Sequence, residues 1–154
     1  MKGSYCLIIS MKKSEKLKIG QLYQDYKFKK GYYVYIGSAM NSLVARINRH
    51  LSDDKKMHWH IDYLLKSPNS SIRDIYFNIS EEKIECDLAL EISKYGKGIA
   101  KFGSSDCGCD SHLIYFERKR DALIATKRAY DKLNIGYNDL KYFKKELNKK
   151  VVKL

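Results

Sequence analysis

The segment Gly31-Tyr32-Tyr33-Val34-Tyr35-Ile36-Gly37 constrains what this chain can fold into more than any other. β-Branched and aromatic side chains fit a pleated surface and lose rotamer freedom in a helix, so this run between two glycines predicts a strand. A second run, Tyr5-Cys6-Leu7-Ile8-Ile9, is too short for a helix and predicts a buried strand. Gly37-Ser38-Ala39 ends the first of these strands, and Asn41 or Ser42 can then cap a helix over residues 43–51. Further along, apolar spacing predicts helices over 58–65 and 84–95, and alternation predicts strands over 72–79 and 112–116. Residues 12–18 show no apolar periodicity and read as a basic loop, with 18–28 a short strand or hairpin arm. Two basic helices follow over 118–133 and 139–147, joined through Asn134-Ile135-Gly136. This order is not a βαβ series. It predicts an α+β fold, a small mixed or antiparallel sheet flanked by helices, with a helical C-terminal extension.

Charge narrows the partners. The 154 residues suit one domain and carry 30 Lys+Arg against 18 Asp+Glu, net +12. Residues 1–60 are net +8, residues 61–116 net −3 and residues 117–154 net +7. An excess of this size favours a polyanion, DNA or RNA, over a merely solvated lysine surface. No apolar run is long enough to span a bilayer, so no membrane partner is expected. Four cysteines without a secretory leader predict a reducing cytoplasm.

The chemistry-bearing residues gather around the two strands. Tyr5 and Tyr35 each sit on one, and the second strand feeds a helix bearing Arg46 and His50, four residues apart on one helical face. Arginine offers a planar fork to phosphate oxygens, histidine can move a proton near neutrality, and a helix start near Asn41 offers backbone donors. That set suits a phosphodiester.

Gly3-Ser4-Tyr5 and Tyr35-Ile36-Gly37-Ser38, followed by Arg46, resemble the motifs of the GIY-YIG nucleases. The chain is most similar to a branch common in archaea that occurs alone or fused to an endonuclease III-type glycosylase. Five blocks carry that likeness in order: GYYVYIGSA, RINRHL, HWHIDYLL, ECDLA and FGSSDCGCDSHLIYF. The resemblance covers about residues 3–116, so a nuclease-like domain over 1–116 and a basic helical extension over 117–154 are expected. Ser4 stands where that family has isoleucine. Its terminal Pro-x-x-Asn element is absent, since the only proline is Pro68, and Asp106 is the substitute on offer.

The resemblance implies roles for particular residues. Tyr35 or His50 would assist deprotonation of an attacking water, Tyr5 would position the water or phosphate, and Arg46 would stabilise transition-state charge. Glu85, with Glu91 as its competitor, would hold one Mg²⁺ or Mn²⁺. Ser38, Asn41, Arg49, His58 and His60 would contact nucleic acid near that site. His58 and His60 can equally be structural, and Asp62 reads as a cap or ion-pair partner. Arg118, Lys119, Arg120, Lys127 and Arg128 would extend the phosphate footprint along the C-terminal helix. Separately, Cys86, Cys107, Cys109 and His112 offer zinc-capable donors, with buried thiols the alternative. The function these residues imply is a metal-dependent DNA endonuclease, structure-selective or acting in repair. A nucleic-acid-binding module with a decayed site and an RNA-directed nuclease are its rivals.

Overall fold

A computed structural model describes residues 1–21, 23–103 and 109–148 of the chain. Its elements are β1 (Gly3–Met11), β2 (Glu15–Ile19), β3 (Tyr23–Phe28), β4 (Gly31–Ala39), α1 (Leu43–Leu51), α2 (His60–Lys66), β5 (Ser70–Ile79), α3 (Glu85–Ser93), β6 (Lys97–Gly98), β7 (Leu113–Phe116), α4 (Lys119–Lys132) and α5 (Leu140–Tyr142). The last helix runs on into a π-helical turn, Phe143–Leu147. The two strongest strands of the sequence are neighbours: β1 pairs antiparallel with β4 along its whole length, from Gly3 opposite Ala39 to Met11 opposite Gly31. β5 flanks β1 on its other side, giving a five-stranded sheet of order β5-β1-β4-β7-β6 in which every pairing is antiparallel. The fold is therefore α+β with an antiparallel sheet.

Alternation along β1 divides the interior into two cores. Tyr5, Leu7, Ile9 and Met11 point to one face and pack with residues of α1, α2 and the β2–β3 hairpin. Cys6 and Ile8 point to the other and pack with Ile84, Leu88 and Ile92 around α3 and with α4. Such double burial explains why Tyr5 to Ile9 is a continuous apolar run instead of an alternating one. α4 lies close to the sheet because its inner stripe is small: Ala122, Ala125 and Ala129, with Tyr130 at its end. Beyond α4 the chain crosses to the sheet edge, where Asn138 and Phe77 exchange both backbone hydrogen bonds at 2.9 Å. It then delivers Phe143 into the first core. The C-terminal extension thus clasps the β5 edge and joins both faces. No helix among the described residues is long and apolar enough to cross a membrane.

Some expected boundaries shift. β2 occupies part of the segment expected as a basic loop, because Leu17 and Ile19 alternate with lysines and pair with β3. α2 begins at His60 rather than 58: Asp62, in its first turn, accepts hydrogen bonds from the backbone N–H groups of His58 and Trp59 and fixes the entry. Ser42, not Asn41, caps α1 by accepting from the Ala45 amide at 3.1 Å.

Candidate functional site

A groove enclosing about 410 Å³ opens where β1, β4, α1 and the start of α3 meet. Tyr5, Tyr35, Ser38, Arg46, His58, His60 and Glu85 all line it, although they come from five separate stretches of sequence. Its remaining wall includes Gly37, Met40, Trp59, Lys83, Phe102, Gly103 and His112.

Tyr5 and Gly37 face each other across the β1–β4 ladder. A methyl group on Gly37 would meet the Tyr5 hydroxyl at 2.6 Å and its Cζ at 2.7 Å, so the glycine of one motif makes room for the tyrosine of the other. The Tyr5 ring is buried, and its hydroxyl hydrogen-bonds His50 Nε2 at 2.7 Å. Burial, reinforced by the neighbouring Tyr35 and opposed by Arg46, raises the Tyr5 pKa far above an ordinary phenol. Tyr35 is pushed up to about 12 by burial and by Glu85. Both phenols stay protonated near neutrality and act there as neutral hydrogen-bonding groups.

Arg46 is held from two sides. Its Nη1 donates to the Ser38 carbonyl at 2.9 Å, and its guanidinium lies 4.4 Å from the centre of the Trp59 ring. Arg49 also lies against that ring, at 4.3 Å, so two arginines share one indole. Arg49 is otherwise engaged: it forms a bidentate pair with the buried Asp62 at 2.8 and 2.9 Å. Burial alone would raise the Asp62 carboxyl, but the Arg49 hydrogen bonds and the two backbone amides outweigh it and hold the group at about 2. Asp62 is therefore both cap and ion-pair partner.

His50 does not line the groove. Although four residues from Arg46 on α1, it turns inward behind Tyr5, while Arg46 reaches sideways to β4. Burial, assisted by Lys55 and the two arginines and opposed by Asp62, lowers its pKa to about 3, so it is neutral in the fold. The helix start is also committed: the Leu43 amide donates to Met1, and the Ala45 amide to the Ser42 side chain. Asn41 is exposed but does not line the groove. Arg118, Lys119, Arg120, Lys127 and Arg128 lie at or on α4, which packs on the opposite face of the sheet from Tyr5, and none lines the groove. Lys127 and Arg128 instead sit over the rings of Tyr76 and Tyr95.

The competing carboxylates are separated. Glu85 opens α3 at the groove, with Lys83 Nζ at 3.5 Å and His112 Nδ1 at 4.0 Å. Glu91, further along α3, pairs with Lys94 at 2.9 Å and does not line the groove. The donor atoms of Cys86, Cys109 and His112 gather within 4.8 Å of one another, a set able to ligate a metal ion. Cys107, expected with them, and Asp106 fall outside the described residues.

Sequence reasoning missed Trp59 as the platform for Arg46. The signal available was the HWH triplet itself, an indole flanked by two polar rings just before a helix. Phe102 and Gly103 open the last of the five resembling blocks but had no role assigned, and Lys83 carried no local signal, because tertiary folding alone brings it to the groove.

Residues 4–135 match the model of a family described as a domain of unknown function, DUF123. The match runs through α4. Among curated proteins and among solved structures, none matches the chain.

Proposed function

The chain belongs to the DUF123 family, and we propose that in this member the groove is the active site of a metal-dependent DNA endonuclease of the GIY-YIG type. The observation that carries this reading is the convergence of Tyr5, Tyr35, Arg46 and Glu85 on one groove from β1, β4, α1 and α3. The β1–β4 register puts Tyr5 and Tyr35 on one face of the sheet, and α1 and α3 bring Arg46 and Glu85 to the same opening.

In the proposed reaction a water oxygen attacks phosphorus, the bond to the 3′ oxygen breaks, and the water's proton balances the departing alkoxide. Arg46, braced by Ser38 and Trp59, faces the non-bridging oxygens and offsets the charge that grows on them. Tyr5 and Tyr35 orient the water and the phosphate as neutral phenols. His50 acts through Tyr5, holding its hydroxyl in place, and is a positioning residue. Glu85, with Lys83 at 3.5 Å and His112 at 4.0 Å, is the carboxylate among the groove-lining residues and would be the oxygen donor for Mg²⁺ or Mn²⁺. Such an ion, when bound, supplies positive charge at the leaving oxygen. His58 and His60, exposed at the rim, are placed to meet the strand, whereas Arg49 supports the groove through Asp62.

The test is nicking of supercoiled plasmid and branched DNA with Mg²⁺ or Mn²⁺. Cutting should fall about 10²-fold or more in Arg46→Ala and be lost in Glu85→Ala. If both variants cut as wild type does, this groove is not the site. The missing Pro-x-x-Asn element favours one rival, a binding module, and tight DNA binding without cutting in either metal would select it. Faster cleavage of RNA than of DNA would move the substrate class.

A further inference from the structure

Cys86, Cys109 and His112 stand apart in chemistry from the groove carboxylate. Cys86 lies in the first turn of α3, while Cys109 and His112 precede β7. The Cys86 sulfur lies 3.8 Å from His112 Nε2, and all three donor atoms lie within 4.8 Å of one another. Tetrahedral zinc with ordinary Zn–S and Zn–N bonds places sulfur and nitrogen ligands about 3.6 Å apart and two sulfurs about 3.8 Å apart. The Cys86–His112 pair is therefore spaced close to one edge of such a tetrahedron, and Cys109 lies within about 1 Å of completing the face.

Two further features fit a metal. The His112 backbone is fixed on both sides, its amide donating to Phe102 at 2.8 Å and its carbonyl accepting from Ile36 at 2.9 Å. Its ring is oriented as well: Nε2 faces the sulfur, while Nδ1 faces a Glu85 carboxylate oxygen at 4.0 Å. A carboxylate on the side of the non-ligating nitrogen is common at metal-bound histidines, and at 4.0 Å this one lies in ion-pair range but beyond direct hydrogen-bond distance.

We propose that Cys86, Cys109 and His112 form a Zn²⁺ site, with water as the fourth ligand, that ties the start of α3 to the segment before β7. Two sulfurs and an imidazole select a borderline-soft cation and discriminate against Mg²⁺ and Mn²⁺, which suit the oxygen donor Glu85. The chain then holds two kinds of metal at neighbouring places. Through the facing of His112 and Glu85, the zinc site also steadies the groove carboxylate. The zinc assignment stands whether or not the groove cuts DNA; only the steadying of Glu85 rests on the endonuclease reading.

Full-length protein purified without chelator should contain about one zinc per chain by elemental analysis. Exchanged with Co²⁺, it should show thiolate-to-cobalt charge transfer and the intense visible bands of tetrahedral cobalt. Stripping zinc should lower the melting temperature, with recovery on adding Zn²⁺ but not Mg²⁺. Cys86→Ser, Cys109→Ser and His112→Ala should each lose stoichiometric zinc, whereas Cys6→Ser, whose buried sulfur faces the Tyr130 hydroxyl on α4, should keep it. Glu85→Ala should also keep zinc, so loss of cutting with zinc retained concerns the groove alone. Wild-type protein without zinc, or a cobalt spectrum lacking charge transfer, overturns the site, and neither result depends on a variant folding. Zinc retained in both cysteine variants overturns it too.

Discussion

Gly37→Ala tests the packing on which the groove depends. The added methyl would lie 2.6 Å from the Tyr5 hydroxyl, 2.7 Å from Cζ and 3.1 Å from Cε2. Comfortable contacts between such atoms begin near ~3.5 Å, so the ring must recede by roughly 0.8 Å. It has little room to do so, because Tyr5 is 1% exposed and His50 Nε2 stands 2.7 Å from its hydroxyl. Overpacking of this kind costs about 1–3 kcal/mol. Replacing glycine by alanine in an unstrained strand returns about 0.4–1 kcal/mol through the unfolded chain. The net expectation is a destabilisation of about 1–2 kcal/mol, a fall in Tm of roughly 2–8 °C for a chain of this size. Urea denaturation of a double-mutant cycle isolates the cause. In a Tyr5→Leu background the ring is gone, and Gly37→Ala should cost nothing or stabilise, giving a coupling energy of about 1 kcal/mol or more. Equal costs in both backgrounds, or a Gly37→Ala protein as stable as wild type, would refute the argument.

Two more expectations follow from the residues behind the groove. Asp62→Asn leaves Arg49 with half its partner and should cost about 2–3 kcal/mol by urea denaturation, less than a fully buried pair because Arg49 is partly solvated. The Asp62 carboxyl, held at about 2, supports the fold fully above the unfolded carboxylate value and progressively less as pH falls towards 2. Asp62→Asn should therefore flatten the acid limb of the stability curve; an unchanged limb contradicts the assignment. His50, held at about 3, acts in the same direction over a higher range. The unfolded chain takes up its proton below about pH 6.5 while the fold refuses it, so stability should drop by up to about 1.4 kcal/mol per pH unit between there and pH 3. Equal pH slopes for wild type and His50→Gln would show that His50 is not held neutral.

What could be read from the sequence was what local pattern encodes. The apolar runs around Tyr5 and Tyr35 specify two strands without reference to any partner, and Ser42 with the apolar spacing after it specifies α1. The Lys-rich alternation of β2 was not legible, because only Leu17 and Ile19 mark its buried side and its partner lies across a turn. Arg46 and His50 share a face of α1 as spacing requires, yet one reaches the groove and the other a core; only the position of β1 against α1 decides which. Cys86 and Cys109 were recognisable as donors, but their meeting depends on β7 laying its leading segment beside α3. Seven groove residues, Tyr5, Tyr35, Ser38, Arg46, His58, His60 and Glu85, were nameable beforehand for a different reason. Their chemistry and the family resemblance point to them, whereas Lys83 gains its place only through folding.

The charge distribution carries a last consequence for binding. The basic side chains of α4 are not an extension of the groove wall. α4 packs its alanine stripe on the face of the sheet opposite Tyr5, and Lys127 and Arg128 project from a helix that adds a further ~10 Å of thickness. A straight duplex seated in the proposed complex against Arg46, His58 and His60 would meet the other side of the molecule. In the proposed complex, Lys127→Ala with Arg128→Ala should therefore leave the salt dependence of DNA affinity unchanged. Lys83→Ala, at the groove, should shift the slope of log K against log salt by about one. Fluorescence anisotropy across a salt series separates the two cases. A flattened slope in the α4 double variant would mean that the nucleic acid wraps the sheet edge or binds the α4 face, and the footprint would then be drawn around α4 instead.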